Sequence, residues 1–159
     1  MAGKAYEYAL NLLSARAYTS RNLRRKLVQK EFDAEEIEAT MARLTASKLI
    51  DDSKFAAEYA RQRLIVGGSS SRRVEQDLQK KGIGREEAKA AVTSVLDEES
   101  VDTGASAEKA ARKKFKSLSG LEREVQRRRL FGFLSRRGFD IDDVKRAVEK
   151  VLAGREDSW

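Results

Sequence analysis

Apolar residues recur four apart in three short stretches, Leu23 and Leu27, Val74 and Leu78, and Leu130 and Leu134, each inside a segment dense with charge. That spacing puts both members of a pair on one face of a helix and leaves the opposite face to solvent. Each stretch ends in a cation, Lys30, Lys81 or Arg137, and leads into an apolar residue followed by a polar helix start. These starts read Phe32-Asp33-Ala34-Glu35-Glu36-Ile37, Ile83-Gly84-Arg85-Glu86-Glu87-Ala88 and Phe139-Asp140-Ile141-Asp142-Asp143-Val144. The copies stand 51 residues apart, from Phe32 to Ile83, and 56 apart, from Ile83 to Phe139. The same offsets carry Tyr8 onto Tyr59 and Phe115, so one register spans two helices of each unit.

The pattern predicts an all-α fold of three tandem three-helix repeats. Helices are expected over roughly 5–16, 20–30 and 34–47, then 52–65, 71–81 and 85–97, then 104–118, 121–137 and 141–153. The units themselves are expected at residues 1–50, 51–98 and 99–159. Thr19 and Ser20, and Ser70 and Ser71, lie where second helices need an N-cap. Asp33 with Glu36, and Asp140 with Asp143, place carboxylates in the first turn of the third helices, where they can cap and complement the dipole. Gly82 and Gly138 fall just past the second helices, at the position where a left-handed residue ends a helix. Glu31 stands there in the first unit, so that turn is expected to close differently. Units of about 50 residues bury little alone, so neighbours are expected to share interfaces and form an elongated, curved array. Gly67-Gly68-Ser69-Ser70-Ser71 is the low-complexity stretch, a connection inside the middle unit.

Composition narrows the chemistry. No proline interrupts the helical pattern, and 37% charged against 40% hydrophobic residues permits a core under a charged surface. Lys and Arg outnumber Asp and Glu by 33 to 26, a net charge of +7, which suits nucleic acid or an acidic protein surface. The chain has no cysteine and no histidine, which removes thiolate metal sites, the cysteine nucleophile and the commonest general base. No phosphate-cradling GxxxxGK[ST] or GxSxG nucleophile elbow occurs. We therefore expect no catalysis, no catalytic or metal-binding residues and no cofactor. Asp51-Asp52 and the Asp140 to Asp143 run sit at helix starts without calcium-loop spacing, and capping explains them better than a metal. No apolar run is long enough for a membrane span, so a cytoplasmic monomer is expected.

Three segments in order, ALNLLSARAYTSRNLRRKL (Ala9 to Leu27), LIDDSKFAAEYARQR (Leu49 to Arg63) and FLSRRGFDIDDVKRAV (Phe133 to Val148), resemble the RecX family of recombination regulators. LIDDSKFA, followed by a basic helix ending in KKGI (Lys80 to Ile83), is the most specific piece. The resemblance covers almost the whole chain. It implies a modulator, mainly an inhibitor, of the RecA recombinase in DNA repair, homologous recombination and the SOS response. Such proteins bind the RecA filament on single-stranded DNA and restrain ATP hydrolysis, strand exchange, filament growth and co-protease function.

Helical geometry nominates the residues of contact. Opposite Leu23 and Leu27 lie Arg21, Arg25 and Gln29, and the repeat offsets carry Arg21 onto Arg72 and Arg128, and Gln29 onto Lys80 and Arg136. Arginine thus recurs once per unit at one outward position. Arg24, Arg73 and Arg129 keep each helix start basic beside it. This stripe suits phosphates and carboxylates alike. A solvated face is the plainer reading for any one of these residues, and a stand-alone basic nucleic-acid-binding module is the alternative for the whole. Lys30, Lys81 and Arg137 are expected to complement helix dipoles, and Tyr8, Tyr59 and Phe115 to pack in cores rather than stack on bases. Arg112-Lys113-Lys114 with Lys116 forms a second basic cluster.

Overall fold

A computed structural model of the chain describes residues 3–154. Among them the regular elements are all helical. The first unit comprises α1 (Lys4–Ala15), α2 (Ser20–Gln29) and α3 (Ala34–Ala46), and the second α4 (Asp52–Arg61), α5 (Ser71–Lys80) and α6 (Arg85–Glu98). The third comprises α7 (Thr103–Phe115), α8 (Arg123–Arg136) and α9 (Ile141–Ala153). Two expected helix ends change type: α4 continues as a π-helical turn over Gln62–Val66, and α7 as a 3-10 turn over Lys116–Leu118. Gly67 and Gly68, the latter left-handed at φ 60°, follow the π turn.

Each unit has its own core. Leu23 and Leu27 pack with Ile37, Met41 and Leu44 in the first, and Val74 and Leu78 with Ala60, Val92 and Val95 in the second. Leu130 and Leu134 pack with Ala107, Val144 and Val148 in the third. All six second-helix residues are fully buried, as their spacing requires. The expectation of shared interfaces holds and is corrected only in kind, because the apolar clusters stay within their units while hydrogen bonds and arginine stems link neighbours. Thr19 Oγ1 donates to the Lys81 carbonyl at 2.5 Å, and the Ser20 amide donates to Asp52 Oδ1 at 2.8 Å. One unit further on, Ser70 Oγ donates to the Arg137 carbonyl in the same arrangement. The chain exposes 10498 Å², against about 8000 Å² for a compact protein of its 17.9 kDa mass. That excess fits an extended array.

The helix ends follow their sequence signals. Thr19 and Ser70 cap α2 and α5 by accepting from the Asn22 and Arg73 amides at 3.2 and 3.3 Å. Asp33 caps α3 and Asp140 caps α9. Glu36 and Asp143, in the first turns as expected, also reach another helix: Glu36 Oε1 accepts from the Ala5 amide at 2.9 Å, and Asp143 Oδ2 from the Thr103 hydroxyl at 3.0 Å, while Asp143 Oδ1 pairs with Arg146 on its own helix. Each ties its unit's third helix to the start of the first.

The Glu31 turn is the second correction, since it closes as the others do. Glu31 is left-handed at φ 62°, beside 96° for Gly82 and 86° for Gly138. The Phe32 and Ile83 amides then return to the Leu27 and Leu78 carbonyls alike. A side chain in that conformation costs on the order of 1 kcal/mol or more, a strain the glycines avoid.

Candidate nucleic-acid and partner interface

All nine candidate cations, Arg21, Arg24, Arg25, Arg72, Arg73, Lys80, Arg128, Arg129 and Arg136, are exposed. They lie on α2, α5 and α8, whose opposite faces are held down by the buried leucine and valine pairs. Their surroundings divide them. Arg25, Lys80, Arg128 and Arg129 make no ion pair among the described residues, so their charges face solvent. Arg24 pairs with Glu38 on α3, and Arg73 with Asp77 at 3.4 Å one turn along α5. Arg136 folds back along its own helix, its Nη1 so placed that a methyl on Gly132 would stand 3.0 Å away.

Arg21 and Arg72 have a second occupation that the repeat alone did not disclose. A methyl built on Gly82 would stand 2.6 Å from Arg21 Cβ and 2.5 Å from its Cδ, so the arginine stem lies directly on the glycine of the next unit. Arg72 lies likewise on Gly138, with Cβ 3.3 Å and Ser70 Oγ 3.0 Å from such a methyl. Recurrence at this position therefore serves packing between units as well as an outward charge, because long cationic side chains bury their stems and keep their heads in water. Arg128 crowds no glycine among the described residues. The first turn of α8 lies upstream of it, where Gln126, buried, donates through Nε2 to the Leu118 carbonyl at 2.8 Å.

The aromatic positions behave as rims of the cores. Tyr8, Tyr59 and Phe115 are half-buried against their clusters. Lys30 stands 5.5 Å from the Tyr8 ring centroid and Lys81 5.3 Å from that of Tyr59, so these last-turn cations gain a cation–π partner besides the helix dipole. In the third unit Arg137 turns to Phe133 instead, at 5.1 Å.

The fold also joins residues that hold unrelated places in the repeat. Arg73 of α5 and Arg136 of α8 line one cleft of about 360 Å³ between the second and third units, together with Arg63 and Arg137. Asp77 within it accepts from the Tyr59 hydroxyl at 3.5 Å and pairs with Arg63 at 3.9 Å. Periodicity pointed to neither the cleft nor Phe133, whose equivalents in the other units are Asp77 and Lys26.

Comparison with known proteins agrees with this architecture at every unit. Sequence models of the first, second and third three-helix domains of RecX match residues 5–44, 51–92 and 102–148 in that order. A curated protein named Regulatory protein RecX from Pelodictyon phaeoclathratiforme is 33% identical over 154 residues, covering 96% of this chain and 92% of that protein. Another of that name, from Amycolatopsis mediterranei, is 35% identical over 136 residues and covers 86% and 76%. The crystal structure of RecX from Lactobacillus salivarius superposes with a TM-score of 0.79 at 22% identity, over 93% of this chain and 94% of that one, and speaks for the fold alone. A second crystal structure, of a regulatory protein RecX, gives 0.81 at 25% identity over 92% and 72%. Three consecutive domain matches and relatives of this identity along nearly the full length lead to one conclusion: the chain belongs to the RecX family.

Proposed function

We propose that this protein modulates, and mainly inhibits, the RecA recombinase by binding its filament on single-stranded DNA in the cytoplasm, acting as a monomer without catalysis of its own. The observation that carries the reading is the unbroken match, through all three domains, to proteins named as regulators. The surface supports it. An extended array with an exposed arginine repeated once per unit, at Arg21, Arg72 and Arg128, offers periodic charge to a periodic polymer. Arg24, Arg25, Arg73, Lys80, Arg129 and Arg136 widen that basic face.

The test adds the purified protein to RecA assembled on single-stranded DNA and follows ATP turnover, with binding to filament, free RecA and naked strand measured in parallel. Turnover should fall, and the filament should be bound more tightly than either component. Filament affinity no greater than that for naked DNA, or intrinsic ATP turnover that survives extensive purification, would defeat the proposal.

A further inference from the structure

On one side of the joint between the second and third units the surface opens into a groove. Its first part, about 450 Å³, has a wall of Lys109, Lys113 and Lys114 from α7, with Arg137, Phe133 and Val66 among the remaining lining. It continues into the 360 Å³ cleft described above, sharing Gly67, Phe133 and Arg137 with it, and there Arg63, Arg73 and Arg136 add their charges. Seven cations thus line one continuous space, and the carboxylate among that lining, Asp77, is already engaged by Arg63 and Arg73.

The apolar part of the groove is as unusual as its charge. Val66 is 80% exposed at the end of the π-helical turn, a form that often marks functional positions. Lys114 and Arg137 stand 5.5 and 5.1 Å from the centroid of the half-buried Phe133 ring. Lys109 and Lys113 are one turn apart on α7, exposed and without an ion pair among the described residues. Like charges held this close repel one another, and a polyanion relieves that repulsion. A single nucleic-acid strand carries phosphates along one edge and flat base faces along the other, which matches cationic walls beside apolar side chains. A duplex is read by an element that projects into its grooves, and this surface is concave.

We propose that this groove binds single-stranded nucleic acid directly and without sequence preference, apart from the once-per-unit stripe of Arg21, Arg72 and Arg128. No recombinase is needed for it. The experiment titrates the full chain into a labelled oligothymidylate, and into a duplex of equal length, across a salt series with RecA absent. Lys109→Glu with Lys113→Glu should weaken strand binding at least tenfold and lower the log–log salt slope by about 1.4 units, roughly 0.7 for each lost phosphate contact. The neutral pair, Lys109→Gln with Lys113→Gln, should show a smaller loss in the same direction, and the helical signal should be unchanged in both. Val66→Asp should weaken binding several-fold, while Lys4→Glu with Lys89→Glu, an equal charge change elsewhere, should leave the slope as it was. Unchanged affinity and slope in the groove variants would overturn the proposal, as would duplex binding as tight as strand binding and equally sensitive to them. Loss of RecA binding with strand binding intact would also overturn it, in favour of an acidic protein partner. Inhibition of RecA, assayed separately, distinguishes the two readings: a chain that binds the strand through the groove yet never inhibits keeps this site and loses the proposed function.

Discussion

Gly82 and Gly138 meet two demands at once. Each sits at a positive φ that side chains adopt at a cost of roughly 1–2 kcal/mol, and each leaves its open face to an arginine stem from the preceding unit. Gly82→Ala should therefore destabilise the protein by more than the backbone cost alone. Adding Arg21→Gly should recover the excess, because only loss of Cβ together with the rest of the stem clears what the methyl strikes. A double-mutant cycle read by denaturant melts measures this, and strict additivity would show that the stem does not occupy that space. The backbone half of this was legible in the sequence, since glycine after a cationic helix end is a known stop signal. The packing half was not: the contact joins residues 61 apart by number, and nothing periodic marks a glycine as covered rather than merely left-handed. Glu31 shows the same limit from the other side, for its side chain suggested a different turn where the chain keeps the same one.

Helices were the most readable level, because the four-residue spacing of Leu23 and Leu27 and its two copies states both the element and its buried face. Where elements meet in three dimensions, polar side chains decide, and their choices left no periodic trace. Glu36 and Asp143 are first-turn acids of α3 and α9, as their places suggest, and in addition reach the starts of α1 and α7. Glu108 is a further case, on α7 between Lys150 of α9 at 2.8 Å and Arg112 one turn on at 2.6 Å. Hydrogen bonds from Lys150 and then Arg112 hold its carboxyl below the usual carboxylate value. Such a group contributes stability that is fully present above the unfolded-state value and is lost as pH falls through the lowered folded one. Melting temperature should accordingly drop on acidification into that range, and Glu108→Gln should flatten this part of the profile. An identical acid limb in the variant would remove Glu108 from the account. The candidate groove was illegible for a related reason, since Lys109, Phe133 and Arg63 come from three helical segments at places the repeat does not equate.

At the scale of the whole molecule, each unit carries its own apolar core and meets its neighbour through hydrogen bonds and an arginine stem. Leu78→Asp places a carboxylate where no water or partner reaches, which costs several kcal/mol. With the apolar clusters confined to their units, the expected loss is the middle unit's share of the helical signal, while the flanking units keep their helices. Circular dichroism with residue-resolved hydrogen exchange distinguishes this from collapse of all three, which would mean that the seams carry far more energy than two or three hydrogen bonds supply. The seams also carry a residue signature of their own. To receive a predecessor, a unit must present a bare backbone on which an arginine stem can lie, as Gly82 and Gly138 do. Residue 31 is the corresponding seat in the first unit, and there a glutamate side chain leaves no bare backbone. At the far end, Gln126 stands where Thr19 and Ser70 supply a hydroxyl, and it spends its amide inside its own unit. The contact that joins the first unit to the second and the second to the third is therefore not offered again at residues 31 and 126, where the side chains differ from those of the two seams.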